Sequence, residues 1–360
     1  MFRLLVLLLL SLPALSAQDT SAPKLQPRPA ETSPPAVSGA AREITLEVQV
    51  TDKSGATVRG LQKQDFTVLD DKRPQNILSL HAVDRAAGSP TDPPVEIVLV
   101  IDAVNAPFHA VTYERTELKK FLLQNGGALA QPVSLVIFSD TGTQIQNGSS
   151  RDGNALAALY DQYQTGLRRN GRAQGFNGAV ERFNMSIKTL MQLVANEGKK
   201  PGRKLMIWFS PGWPMLSGPG VEISSKDEEN FFNSIVTASN GLRQGHITLY
   251  SIDPLGLANA GGVRTSYYQE FLQGVSSPLR ATPGDLGLQV LAVQSGGRVF
   301  NSSNDITTEI AKCAADADAS YVLSFDGARA DQANEYHSIA ITVDKPGTTA
   351  RTRTGYYAQP

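Results

Sequence analysis

Val95-Glu96-Ile97-Val98-Leu99-Val100-Ile101-Asp102 is the stretch whose reading decides the fold. Its first seven residues are apolar except for Glu96 and are mostly β-branched. The run is too short for a helix and has the character of a strand buried on both faces. A carboxylate, Asp102, follows at the carboxyl end. In open α/β sheets that end faces the crevice where ligands sit.

Working outward, the same character returns at Val133 to Phe138, Leu205 to Phe209 and Ile247 to Ile252. Helical stretches separate these runs, at Tyr113 to Gln124, Ala155 to Tyr163, Val180 to Ala195 and Glu228 to Leu242. This alternation predicts an α/β domain over 93–318, a doubly wound, mostly parallel sheet covered on both sides by helices. Gly241 and Gly245 punctuate the end of one helix and Gly296-Gly297 another, and a helix from Asp305 to about Ala315 closes the domain.

Both flanks change to period two. Ile44, Leu46, Val48 and Val50 share one face, then come Phe66 to Leu69, a charged turn at Asp70-Asp71-Lys72-Arg73, and Ile77 to Val83. Tyr321 to Phe325, His337 to Val343 and Ala350 to Tyr357 repeat the pattern near the carboxyl end. Either set alone is too small to be stable. The two therefore build one small antiparallel β-sandwich from 43–88 and 319–358, with the α/β domain inserted between them.

Arg3, the apolar run Leu4 to Leu10 and the small residues up to Ala17 read as a signal peptide over 1–17. The expected location is secreted or periplasmic, after cleavage near residue 17. No cysteine near that point suggests a lipid-modified terminus, and no stretch is long and apolar enough for a transmembrane segment. Residues 18–42, with Pro23, Pro27, Pro29, Pro34 and Pro35, form a Pro/Ala/Ser-rich linker expected to be disordered. The whole chain of 360 residues is 41% hydrophobic and 19% charged, enough for a sizeable core. A net charge of −1 argues against nucleic acid or an anionic membrane as partner. Arg168, Arg169 and Arg172 read as a solvated loop. Cys313 is the only cysteine, so no intrachain disulfide forms, and its helical setting predicts a buried small hydrophobe.

The core resembles a von Willebrand factor type A (VWFA) domain, and the chain resembles the VWFA-related proteins abundant in Acidobacteria. The residues that carry this are Val48 to Gly55 with Asp65 to Asp71, Pro201-Gly202-Arg203-Lys204 with Trp208 to Pro214, Leu249 to Pro254, and Arg351 to Tyr357. The metal-binding members of that family carry Asp-x-Ser-x-Ser after the first strand and a further Asp after a later one, a metal-ion-dependent adhesion site. Mg²⁺ there takes near-octahedral oxygen ligands. Here the stretch is Asp102-Ala103-Val104-Asn105-Ala106, so hydrocarbon stands where both hydroxyls belong, and Ser210 stands where the later Asp is expected. Asp102 is the only ligand-type residue retained. The expectation is a degenerate site with no metal and no cofactor. Asp102 is instead satisfied by backbone N–H groups, and Asp140 and Asp253 cap loops at strand ends.

Catalytic arrangements are weak. Trp208-Phe209-Ser210-Pro211-Gly212 imitates a nucleophile elbow, but Pro211 has no N–H to donate to an oxyanion. His81, His109, His246 and His337 show no zinc-ligand spacing. No phosphate-cradling or dinucleotide loop is present. Asp227-Glu228-Glu229 reads as a helix start. The sequence therefore points to a non-enzymatic protein-binding or adhesion module. Its partner surface is placed at Asp102, Asn105, Asp140, Ser210 and Trp213; Trp208 and Trp213 read first as core or cleft-lining aromatics, with an exposed Trp213 as anchor the alternative. The alternative is a structural component of a cell-envelope assembly; a hydrolase is the weakest reading.

Overall fold

The computed structural model describes residues 42–85, 94–163, 175–214, 216, 223–258 and 266–360. The signal segment, nearly all of the linker, and Arg168, Arg169 and Arg172 lie outside the described residues. The described residues open with four strands, β1 (Glu43–Asp52), β2 (Phe66–Asp70), β3 (Arg73–Gln75) and β4 (Ile77–Asp84). The middle then alternates. Its strands are β5 (Val95–Asp102), β6 (Ala128–Ser139), β7 (Gly142–Ile145), β8 (Ser150–Asp152), β9 (Arg203–Phe209), β10 (Ile247–Ile252) and β11 (Val299–Phe300). Its helices are α1 (Phe108–Leu122), α2 (Gly153–Gln162), α3 (Gly175–Glu197), α4 (Ser225–Gln244), α5 (Leu288–Gln294) and α6 (Ile306–Ala314). Four strands end the chain, β12 (Ala319–Asp326), β13 (Glu335–Val343), β14 (Thr348–Arg351) and β15 (Gly355–Ala358).

The central sheet runs β11-β10-β9-β5-β6-β7, with β8 also on β6. β5, β6, β9, β10 and β11 are parallel, whereas β7 and β8 are antiparallel to β6. β5 is the first of the parallel strands in the chain yet lies between β6 and β9, so the winding reverses on either side of it. Its pleat divides the helices. Ile97, Leu99 and Ile101 pack with Leu118 of α1, Leu156 of α2, and Ile310 and Cys313 of α6. Val98 and Val100 face Phe183 and Leu190 of α3, Ile235 of α4 and Leu291 of α5. Local chemistry sets the starts of three helices, α6 at the expected Asp305 and α2 and α4 a few residues before the expected Ala155 and Glu228. Asp152, Ser224 and Asp305 each accept a bond from a first-turn backbone N–H, capping α2, α4 and α6.

Two antiparallel sheets, β14-β1-β12-β4 and β15-β13-β2-β3, form the sandwich from both chain ends. Its core is Leu46, Val48 and Val50 of β1 against Val68, Leu323, Phe325, Ile339 and Tyr356. The fold is therefore a doubly wound, mostly parallel α/β unit inserted in a small antiparallel β-sandwich. Three local features differ from the sequence reading. α1 begins at Phe108, because Pro107 supplies the extended N-cap backbone. The hairpin strands β7 and β8 were not expected, being short and half exposed. The segment Ala350 to Tyr357 is two strands, one in each sheet. Between them Thr354 N–H donates to Gln294 O, and the backbone of Thr352 and Arg353 passes over Gly296. Gly296 has φ +89°, and a Cβ there would stand 2.9 Å from Arg353 N.

The sandwich and the α/β unit meet at Asp316, a buried residue between α6 and β12. Its carboxylate accepts from Tyr250 Oη of β10 at 2.6 Å and Arg351 Nη2 of β14 at 2.5 Å, with Arg298 Nη2 at 3.7 Å. Its backbone carbonyl accepts from Gln49 Nε2 of β1 at 2.9 Å and Arg203 Nη1 of β9 at 2.8 Å. Beside it Glu47 of β1 lies 2.7 Å from Arg203 Nε. Burial alone raises the Glu47 carboxyl, but the Arg203 and His246 charges outweigh it and hold it below its ordinary range. Among the described residues no helix is long and apolar enough to cross a membrane.

Candidate functional site

Asp102 ends β5 at the point where the winding reverses, and it is completely buried. Its two oxygens are occupied by donors of the chain. Oδ1 accepts from the backbone N–H of Val104 at 3.0 Å and of Asn105 at 2.9 Å. Oδ2 accepts from Asn105 Nδ2 at 2.8 Å and Trp208 Nε1 at 3.1 Å, and the Ser210 hydroxyl also bonds the carboxyl. Burial raises the Asp102 carboxyl above its ordinary range, against the downward pull of these donors. Asn105 Nδ2 also reaches Ser186 Oγ of α3 at 2.9 Å, and Ser186 in turn donates to Arg182 O. The loop after β5 is thus tied to both β9 and α3.

This donor set does not fit Mg²⁺. A hard dication needs several oxygens turned toward it, whereas Val104 and Ala106 supply none and N–H groups point at both oxygens of Asp102. Asn105 Oδ1 is buried without a hydrogen-bond partner.

The five residues expected to form the partner surface are not equally placed. Asp102, Asn105 and Ser210 are brought together, but Asp102 and Ser210 are fully buried and Asn105 is half-buried. Asp140 follows β6, half-buried. Trp213 is a core residue, 2% exposed, which agrees with the core reading and removes it from the partner surface. The turn at Gly212, with φ +106° and the Gln289 side chain close over it, folds the indole inward. There it meets Trp208 edge-on at 5.1 Å between ring centres. Asp253, after β10, is buried and accepts from Leu255 N–H.

Two further acids in this region were missed by sequence reasoning, because each sits in an ordinary amphipathic helix. Glu114 of α1 is fully buried, and neither of its oxygens has a hydrogen-bond partner. Burial first, and the Asp102 charge second, hold it protonated well above the usual carboxylate range. Glu309 of α6 is pushed up to about 7 by burial, with Asp305 and Asp253 adding to the shift against Lys312. A folded-state acid raised above its unfolded value of 4.5 stabilises the protein below that value and loses the contribution as pH rises through about 7. Glu309→Gln is expected to remove that loss. Relative to wild type, the variant should gain roughly 1–2 kcal/mol between pH 5 and 7.5, a figure reduced for solvent screening. Urea midpoints at the two pH values measure it, and parallel pH profiles for the two proteins count against the assignment.

Exposed apolar side chains stand on elements near this buried centre. Phe108 opens α1 at 66% exposure, and Leu257 in the loop after β10 is 59% exposed. Asn304 ties α1 to that loop: its backbone oxygen accepts from Tyr113 Oη and its side-chain oxygen from Leu257 N–H. Tyr113 is itself exposed. Lys200, just past α3, pairs with Glu96 near the start of β5. A helix of 23 residues spans about 34 Å, so the first turn of α3, with Phe176 at 59% exposure, projects beyond the strand carboxyl ends.

No family model and no curated protein matches the chain. Solved structures similar to it include the PilB minor pilin from Streptococcus sanguinis, at 12% identity and TM-score 0.37, covering 64% of this chain and 63% of that one. The SpRpn10 VWA domain is 14% identical with TM-score 0.29, over 61% of this chain and 94% of that one. The pilus adhesin SpaC from Lactobacillus rhamnosus GG is 11% identical with TM-score 0.36, over 84% of this chain and 48% of that one. The chain thus spans less than two thirds of the length of the pilin and about half that of the adhesin.

Proposed function

We propose that this chain is a non-enzymatic, secreted or periplasmic module that recognises a protein partner through the face beyond the carboxyl ends of β5 and β10, without a bridging cation. The observation that supports this is the pairing of a self-satisfied Asp102 with an apolar rim of Phe108, Tyr113 and Leu257. A carboxylate whose oxygens already accept from the chain has little capacity left for a shared ion. Exposed large apolar side chains on α1 and on the loop after β10 fit a protein contact. Asn105 and Asp140 contribute the polar part of that face. Ser210, the serine of the elbow-like stretch, is buried and engaged with Asp102 and the Gly212 N–H, which argues against its use as a nucleophile.

Crosslinking of the full chain in its native envelope tests the reading. A double Phe108→Asp, Leu257→Asp variant is expected to lose an adduct that Leu123→Asp keeps. Leu123 is exposed at the other end of α1 and so controls for added charge alone. A second reading, a structural part of an envelope assembly, draws on β4. This strand of eight residues forms an outer edge of its sheet and exposes half of Leu78. Such an edge can pair with a strand of a neighbour. An adduct lost with Leu78→Asp but kept by the Phe108/Leu257 pair selects that reading instead.

A further inference from the structure

The sandwich brings together three metal-type ligands that lie far apart in the sequence. Asp70 ends β2, and Asp71 and Lys72 form the tight turn to β3, at φ +46° and +66°. His337 lies on the neighbouring strand β13. One ligand atom from each of Asp70, Asp71 and His337 falls within 4.8 Å of the others. His337 Nδ1 is 3.0 Å from Asp70 Oδ1 and 3.4 Å from Asp71 Oδ2.

We propose that Asp70, Asp71 and His337 bind a divalent transition metal of the zinc class, which clasps the amino-terminal half of the sandwich to its carboxyl-terminal half. Around a tetrahedral zinc ion, ligands at 2.0–2.2 Å stand roughly 3.3 Å apart, close to the spacing of these atoms. Two carboxylate oxygens converge on one ring nitrogen, and its single proton cannot serve both well; a dication satisfies all three.

Each ligand is also held from behind. Tyr356 Oη donates to Asp70 Oδ2 at 2.7 Å, and Ser338 donates to Asp71 Oδ1 through both N–H and hydroxyl at 2.9 Å. The His337 ring stacks on Tyr356 at 5.1 Å and 20°. His337 is 95% buried, being 5% exposed, and its Nε2 has no hydrogen-bond partner. Glu335 Oε1 stands 4.0 Å from that Nε2. With a metal on Nδ1 the Nε2 carries a proton, and Glu335 is the acceptor it needs, the usual carboxylate behind a ligating histidine. One imidazole nitrogen among the donors favours zinc-class ions over Mg²⁺ and Ca²⁺. Asp71 is half exposed, so solvent reaches the site and water completes the shell.

The test uses the full chain without a polyhistidine tag, stripped with a chelator. Calorimetric titration with Zn²⁺ is expected to show one equivalent bound, with a melting temperature at least about 3 °C higher under saturation. Co²⁺ at the same site should give visible absorption bands. Asp71→Asn keeps the acceptor for Ser338 and tolerates the left-handed turn, so it should fold normally and bind at least tenfold more weakly; His337→Gln should abolish binding. Absence of stoichiometric Zn²⁺ binding overturns the proposal. So does an affinity unchanged in both variants, which marks an adventitious ion on another histidine. A melting shift with Mg²⁺ and none with Zn²⁺ overturns the metal class.

Discussion

Replacing Asp316 by alanine is expected to lower folding stability by about 3–5 kcal/mol, the largest single effect outside the apolar core. The side chain is 4% exposed and accepts from Arg351 of the sandwich and Tyr250 of the central sheet, with Arg298 close by. Alanine leaves two guanidinium groups and a phenol without their shared acceptor in a buried setting. That penalty exceeds the modest net worth of the ion pairs themselves. Asp316→Asn keeps an oxygen for Tyr250 and should lose less. Thermal or urea unfolding followed separately by tryptophan fluorescence, which reports the α/β unit, and by far-UV dichroism measures the effect. A loss under about 1 kcal/mol for the alanine variant shows that the junction draws its strength elsewhere, since a surface pair contributes no more than that.

Trp208→Phe is the second large effect, with an expected loss of about 2–4 kcal/mol. Trp208 is fully buried against Phe138 and Trp213, and its indole N–H is one of the donors to the buried Asp102 carboxylate. Phenylalanine removes both the donor and part of the packed volume. Trp213→Phe is the matched control, because the Trp213 Nε1 is buried without a hydrogen-bond partner. It removes an unsatisfied donor along with similar volume and should be the milder change. Equal losses in the two variants refute a special bond between Trp208 and Asp102.

The parallel core was legible because its strands are nearly all apolar and its helices carry clear end signals. Ile247 to Ile252 has the same bounds in the structure, and Asp305 caps the helix it was expected to start. What escaped was set by partners remote in sequence. The break between β14 and β15 follows from docking on Gln294 and Gly296, which period-two alternation cannot reveal. Around Asp102, the hydrocarbon at Val104 and Ala106 could be read directly. The donors that surround the carboxylate could not, since Trp208 lies 106 positions away and Ser186 acts through Asn105. The burial of Glu114 on α1 and of Glu309 on α6 depends on packing in the same way. His337 has no zinc spacing to any other histidine because the carboxylates beside it lie 267 and 266 positions upstream.

The pairing of Glu43 with Asp326 fixes an order of events during synthesis. A ribosome delivers β1 to β4 first, yet the strand that joins β1 to β4 is β12, made only after the whole central sheet. The early strands must wait with open edges, a state prone to mispairing, while the inserted unit can close on its own contacts. Once Tyr250, Arg203 and Arg298 are in place, they offer the newly made Asp316 a ready platform, and β12 then slots between its two waiting neighbours. The last strands to emerge are thus the ones that rescue the first.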